Sequence, residues 1–146
     1  MDCPFCDAAQ LAERTIIEND LARAFPTNAP IVPGHMLIAP KRHVTYYEDL
    51  ASTERDAIEE LRMKLHAGLK KAFGAEGFNY AWNEEKIGGQ SVPHFHLHML
   101  PRQEGDAGVH NYEPREFIYR PIPVDQRPAS TDEELHEVVR LLRVSL

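Results

Sequence analysis

No apolar run in the sequence approaches the roughly 18 residues that a membrane-crossing helix requires, which excludes that class. The start of the chain, Met1-Asp2-Cys3-Pro4-Phe5-Cys6, lacks the basic and then apolar stretches of a secretory signal, so a cytoplasmic protein is expected. Cysteine is scarce, and two in 146 residues cannot build a disulfide framework. Basic residues are outnumbered, 16 against 23 acidic ones, and a formal net charge of −7 has the wrong sign for a partner that is a long nucleic acid. A small anionic ligand stays compatible, because a pocket can be locally positive on an acidic protein. Internal repeats and low-complexity tracts are also missing. What is present, 42% hydrophobic and 27% charged residues over 146 positions, suits one folded domain with a real core.

Both cysteines lie in one motif, Cys3-Pro4-Phe5-Cys6, whose spacing suits a zinc knuckle or a redox pair. A thioredoxin-like pair sits between a strand and a helix. No strand precedes this motif, which weighs against redox chemistry without deciding the question.

Arg14 to Glu18 and Leu21 to Phe25 are short runs separated by Asn19-Asp20, the turn chemistry of a hairpin. Prolines from Pro26 to Pro33 make a loop, and Gly34 to Ala39 reads as a strand. Ser52 or Thr53 offers an N-cap to a helix whose apolar residues Ile58, Leu61, Leu65, Leu69 and Phe73 recur every three or four positions, with Gly74 placed for a left-handed cap. Phe78 to Trp82 suits a strand, with Trp82 read as core, and His94 to Leu100 alternates as a strand does. Glycines and prolines make most of residues 101–129 irregular, and Ser130 with Glu133 forms a capping box for a terminal helix bearing Leu135, Val138, Val139 and Leu142. The expected fold class is α+β: an antiparallel sheet of about five strands, one long helix between strands, and a C-terminal helix.

Strand alternation sends His94, His96 and His98 to one face and Phe95, Leu97 and Met99 to the other, so the apolar set is expected in the core and three imidazoles on an exposed pleat. A lone histidine is usually structural; three in strict alternation point to chemistry. One candidate is metal binding, although ligand nitrogens must lie about 2.0–2.1 Å from the ion, so two such histidines can chelate but three need a bulge. The other is phosphoryl chemistry, in which an unprotonated imidazole attacks phosphorus while a neighbour holds charged oxygens or protonates the leaving group. Gly88-Gly89-Gln90-Ser91 adds backbone N–H groups, an amide and a hydroxyl, donors suited to an anionic oxygen.

The run His94-Phe95-His96-Leu97-His98-Met99-Leu100 resembles the His-x-His-x-His-x-x signature, x apolar, of the histidine triad family of nucleotide hydrolases and transferases. The resemblance extends to Asn83, Gly89-Gln90-Ser91-Val92, Pro101-Arg102 and the block from Pro33 to His43. By this resemblance, residues 1–108 are expected to form a histidine triad domain, and 109–146 its C-terminal extension, irregular and then helical. The resemblance implies a homodimer whose sheet continues across the interface and a reaction in two steps. His96 would attack the α-phosphate to form a nucleotidyl-histidine that water later discharges. His98 would contact the phosphate and assist the leaving group, while Gln90 and Ser91 would hold oxygens in the transition state. Asn83, Gly89 and Arg102 would bind the phosphate portion of the nucleotide. Thr27 and Asn28 occupy the loop after the second strand, where a polar side chain binds ribose in the family, with the commoner acidic residue absent.

By the same resemblance, bacterial members with an N-terminal Cys-x-x-Cys bind structural Zn2+ through positions that match Cys3, Cys6, His43 and His94, a closed set that leaves His96 free. No role falls to His35, His66, His110 or His136. The implied activity is hydrolase or nucleotidyl transferase, releasing a nucleoside monophosphate from a phosphoanhydride such as a dinucleoside polyphosphate, or from a phosphoramidate, with a purine nucleotide as ligand. Two other classes stand beside it: a nucleotide-binding module with little turnover, and a metal-dependent enzyme using paired strand histidines.

Overall fold

The Asn19 side chain starts the sheet by accepting from the N–H groups of Leu21 (3.2 Å) and Ala22 (2.9 Å), which closes the turn between β1 (Ile17–Glu18) and β2 (Ala22–Pro26). The computed structural model describes residues 2–108 and 129–146. β1 is shorter than the Arg14–Glu18 run suggested, because Thr15 gives both its N–H and its hydroxyl to the Leu11 carbonyl, each at 2.8 Å. These bonds close α1 (Ala8–Ala12), a helix the sequence reading missed, whose N-cap Asp7 accepts from Gln10 N–H at 3.0 Å.

Three further strands complete an antiparallel sheet: β3 (Met36–Pro40), β4 (Gly77–Ala81) and β5 (Leu97–Arg102), in the order β1-β2-β3-β5-β4. The α+β class is as expected. β5 begins three residues later than read, so His94 to His96 enter the sheet from outside its ladder. Trp82 is 44% exposed and stacks on Tyr47, with centroids 4.8 Å apart, instead of filling the core.

The long helix α2 (Ser52–Phe73) lays Ile58, Leu61, Leu65 and Leu69 on the face of the sheet formed by Ala22, Ala24, Met36, Ile38, Leu97 and Met99. Gly74 ends it at φ 63°, donating to the Leu69 and Lys70 carbonyls, the left-handed cap expected there. Its start differs from the reading. Ala51, not Ser52 or Thr53, is the N-cap, and the orphan donors are served by buried Glu54, which accepts Ala51 N–H at 2.8 Å. Arg42 completes the clamp at 2.6 and 3.0 Å from the two Glu54 oxygens.

The last described helix, α3 (Asp132–Ser145), adds Val139 and Leu142 to the same core. Its capping box is Thr131 with Glu134, one residue beyond the expected Ser130 and Glu133, because Ser130 N–H is taken by the Asn28 carbonyl at 2.6 Å. Gly68 faces this helix, where a Cβ would meet the Leu142 side chain at 3.7 Å and the end of the Leu146 side chain at 2.7 Å. The rest of the expected irregular stretch, with His110, lies outside the described residues.

A second cluster covers the opposite face of the sheet: Phe25, Leu37 and Ala39 from the strands, and Cys3, Phe5 and Leu11 from the N-terminal segment. This layer determines the surroundings of the histidines. Among the described residues no helix is long and apolar enough to cross a membrane.

Arg42, followed by the Ala51 N–H, holds the Glu54 carboxyl below its ordinary pKa, so its stabilisation is present above the ordinary carboxylate range and is lost as pH falls through the lowered value. Glu54→Ala should lower unfolding free energy at pH 7 by about 1–2 kcal/mol, as expected for a lost helix cap. In urea titrations the gap from the parent should shrink on acidification below pH 4, and a gap that persists would contradict this assignment.

Candidate functional site

His94 is fully buried, and each of its polar atoms has a separate destination. Its Nε2 lies 2.8 Å from the Pro40 carbonyl, which can only accept, so Nε2 carries the proton and Nδ1 is left with a lone pair. That lone pair faces Cys3 Sγ at 3.4 Å and Cys6 Sγ at 3.5 Å, while His43 Nδ1 lies 3.3 Å from Cys6 Sγ. The four ligand atoms all fall within 4.8 Å of one another. Two sulfurs and two imidazole nitrogens at such separations match a tetrahedral zinc set, whose bonds are about 2.0–2.3 Å long. The donors fit the ion that the sequence reading assigned to them.

Burial, reinforced by hydrogen bonding to Cys3, pushes the Cys6 thiol upward, the reverse of the acidified thiol that redox catalysis employs. The motif also precedes α1 directly with no strand before it. Both observations go against the redox reading of Cys3-Pro4-Phe5-Cys6.

His96 has a different environment. Its Nδ1 lies 2.8 Å from the carbonyl of His94, so the proton is on Nδ1 and the lone pair is on Nε2. Burial drives its pKa down, opposed only by that carbonyl, and the ring is therefore neutral at pH 7. The expectation of three imidazoles on an exposed pleat is overturned: His94 is 0% and His96 4% exposed, and only His98 is part-exposed. The cause is the N-terminal segment. Phe5 packs edge-on against His94 and His96, with centroids 5.9 and 5.1 Å away. The apolar partners Phe95, Leu97 and Met99 do enter the core.

His98 brings in a residue to which the sequence assigned no role. His35, 2% exposed, accepts Ile31 N–H on Nδ1 at 3.1 Å and so donates from Nε2 to His98 Nδ1 at 2.9 Å. Neutral His98 accordingly carries its proton on Nε2. The only hint in the sequence was the position of His35 beside a strand that pairs with the histidine strand, and Leu37 does pair with His98.

Gln90 is 8% exposed, accepting Glu85 N–H at 3.1 Å and donating to the Thr45 carbonyl at 3.4 Å. Asn83 donates to the carbonyl of Gly89 at 3.3 Å, and Gly89 itself turns the loop at φ 94°. Ser91 is exposed, with no bond to the histidines among those described. Thr27 donates its N–H to the His35 carbonyl at 3.2 Å, which places it next to the histidine pair, whereas Asn28 is exposed. Arg102 is not brought to the histidines. Its guanidinium is held by Asp106 at 2.7 and 2.8 Å and by Asn79 at 2.7 Å, at the far end of β5.

Residues 8–105 match the HIT domain family. An uncharacterized HIT-like protein of Mycoplasma genitalium is 37% identical over 108 residues, 73% of this chain and 77% of its own length. The bis(5′-adenosyl)-triphosphatase of Dictyostelium discoideum is 30% identical over 114 residues, 78% of this chain and 73% of that protein. Among solved structures, a zinc-bound histidine triad family protein from Mycobacterium smegmatis superposes with a TM-score of 0.72 at 25% identity, covering 99% of this chain and 93% of the other.

The hydrogen-bond partners fix two opposite tautomers in neighbouring rings. Long-range 1H–15N spectra should show neutral His96 protonated on Nδ1 and neutral His98 on Nε2. His35→Ala should abolish the His98 preference, leave that of His96, and destabilise the fold by about 1–3 kcal/mol through the orphaned buried groups. The same tautomer at both rings would refute the network.

Proposed function

The chain belongs to the HIT domain family, and from that premise we propose that it is a hydrolase that releases a nucleoside 5′-monophosphate from a phosphoanhydride, with a dinucleoside polyphosphate as the leading substrate class and a phosphoramidate as the other. The observation that carries the reading is the 2.8 Å bond from His96 Nδ1 to the His94 carbonyl, which leaves Nε2 as an unprotonated nucleophile. Nε2 attacks the α-phosphorus; a P–N bond forms as the bridging P–O or P–N bond breaks. The departing group leaves with the bonding electron pair, its charge met by the Nε2 hydrogen of His98, and takes any proton it needs from solvent. Water then attacks the same phosphorus, the P–N bond breaks with its electron pair returning to His96 Nε2, one water proton passes to solvent, and nucleoside monophosphate leaves.

Gln90 offers a hydrogen on Nε2 beyond the one given to Thr45, and with Ser91, Asn83 and Gly89 it holds the phosphate oxygens. Thr27, with Asn28 beside it, serves the ribose. Arg102 is fastened to Asp106 and Asn79 and supports the nucleotide's phosphate portion from that anchored position. Phe5 and the His94 carbonyl close the other sides of His96, so substrate approaches along His98.

Cys3, Cys6, His43 and His94 would hold a structural zinc ion, which when bound joins the N-terminal segment to the histidine strand. Four protein ligands leave no coordination position open, which argues against the metal-dependent alternative. β4 is one of the sheet's two edge strands and carries Tyr80, 40% exposed, beside Trp82; a second copy pairing there would continue the sheet as a homodimer.

Incubating the protein with diadenosine triphosphate and quenching in base should reveal, by mass spectrometry, one added adenylyl group on the peptide containing His96. His96→Ala should show no adduct and at least about 10³-fold less AMP release. Turnover without an adduct would defeat covalent catalysis, and binding without turnover would leave the nucleotide-binding module. Purified protein should contain close to one zinc per chain. Removing it should lower the melting temperature, while Cys6→Ser should reduce zinc content without removing His96 reactivity; immediate and complete loss of activity in a still-folded protein would favour a catalytic metal.

A further inference from the structure

Among the described residues, two buried side-chain donors have no partner: Arg14 Nε and Arg23 Nε. Arg23 contributes to the field at Cys6 and His94, near the metal-ligand cluster. Arg14 lies elsewhere. Its Nη2 donates to the Pro26 carbonyl at 2.5 Å, and its Cζ sits 5.4 Å from the centre of the Phe25 ring. Burial alone lowers its pKa, with no charged neighbour contributing. An arginine with an orphaned buried N–H and no carboxylate partner among the described residues is an unfavourable arrangement for the free protein, and an anion would relieve it.

The position of this cation is informative. Phe25 lies 5.1 Å from Phe5, and Phe5 lies 5.1 Å from His96. Pro26, which Arg14 holds, precedes Thr27, whose N–H bonds the His35 carbonyl, and His35 contacts His98. Two routes, one apolar and one polar, thus connect Arg14 to the two histidines assigned above. From Thr27 to Val32 the loop contains no acidic residue to neutralise it. Thr27 Oγ1 accepts Ala29 N–H at 3.3 Å, leaving its own hydroxyl hydrogen as a donor.

We propose that Arg14 and Thr27 form a second anion subsite at the ribose end of the nucleotide, so that the preferred substrates are nucleoside 5′-phosphoanhydrides bearing an additional phosphate ester on the ribose. This deepens the assignment of His96 to the α-phosphate and rests on it. A ribose hydroxyl is neutral and satisfies the arginine only in part, whereas a phosphate ester matches both the charge and the planar donor edge of guanidinium.

Calorimetric titration of the full chain with AMP, adenosine 3′,5′-bisphosphate and adenosine 2′,5′-bisphosphate tests the proposal. One bisphosphate should bind more tightly than AMP by about tenfold or more, the size of one charge-assisted hydrogen bond. Arg14→Gln should bring that ratio close to one, and Arg14→Lys, which keeps the charge, should restore part of it; thermal melts of both variants verify folding. Equal affinity for all three nucleotides, or a preference that survives Arg14→Gln, would overturn the subsite while leaving the assignment of His96 intact. Failure of all three to bind would overturn both.

Discussion

The structure depends on the way His94 distributes its hydrogen bonds. A fully buried imidazole has no water with which to exchange partners, so its ring and its carbonyl must each be satisfied by the protein. The ring N–H goes to Pro40 at the end of β3, the ring lone pair goes to the sulfurs of Cys3 and Cys6, and the carbonyl takes the Nδ1 proton of His96. Three separate parts of the chain are fixed by one residue: the central sheet, the N-terminal segment, and the proton of the neighbouring ring. Rotating His94 would break the first two together, and shifting its backbone would release the third. The metal ligation and the nucleophile orientation proposed for these histidines would therefore not be independent of one another.

Electrostatics supports the same arrangement. The chain is acidic overall, yet no carboxylate contributes to the pKa shift of His96, which burial holds neutral. Much of the acidity is placed where it pairs locally, as in Glu59 with Arg62 and Glu60 with Lys64 on α2, at the helix surface. A zinc ion bound by two thiolates and two neutral imidazoles would have no net charge, so it would fasten the N-terminal segment without a strong attraction or repulsion for a phosphate nearby. Positive charge for the proposed nucleotide would have to come from individual side chains, and Arg14 is one of those with an orphaned buried donor among the described residues.

Much of this was legible in the sequence, for identifiable reasons. The α2 periodicity and the Gly74 cap are local properties, and both were read correctly. So was the division between His94, His96, His98 and their apolar neighbours, because strand alternation is enforced by geometry. What the sequence did not reveal depends on contacts distant along the chain. Exposure of the histidines was misjudged because an N-terminal segment folds back across about 90 positions to cover them. His35 passed unnoticed since its partner, His98, is brought to it by pairing of β3 with β5. Thr131 displaced Ser130 as a cap because Asn28 had already taken the Ser130 N–H. In each miss a local pattern gave way to a tertiary hydrogen bond or contact.

The loop before the histidines shows how such commitments define what a ligand encounters. Gln90 is oriented by Glu85 N–H on its oxygen and by the Thr45 carbonyl on its nitrogen. Glu85 adopts φ 61°, the positive-φ conformation found for no other non-glycine among the described residues, and its carboxylate accepts the Tyr46 hydroxyl. A strained residue persists only where its surroundings hold it, and here the carboxylate and the backbone N–H hold it from two sides. With those bonds made, Gln90 retains an Nε2 hydrogen to donate, His98 carries its proton on Nε2, and His96 keeps a lone pair. One acceptor and two donors, aligned by backbone groups or, for His98, by the ring of His35, would complement a phosphorus atom under attack and the oxygens around it in the proposed reaction. A preorganised set of this kind needs no rearrangement as charge develops, which is the condition under which hydrogen bonds stabilise a transition state more than a ground state.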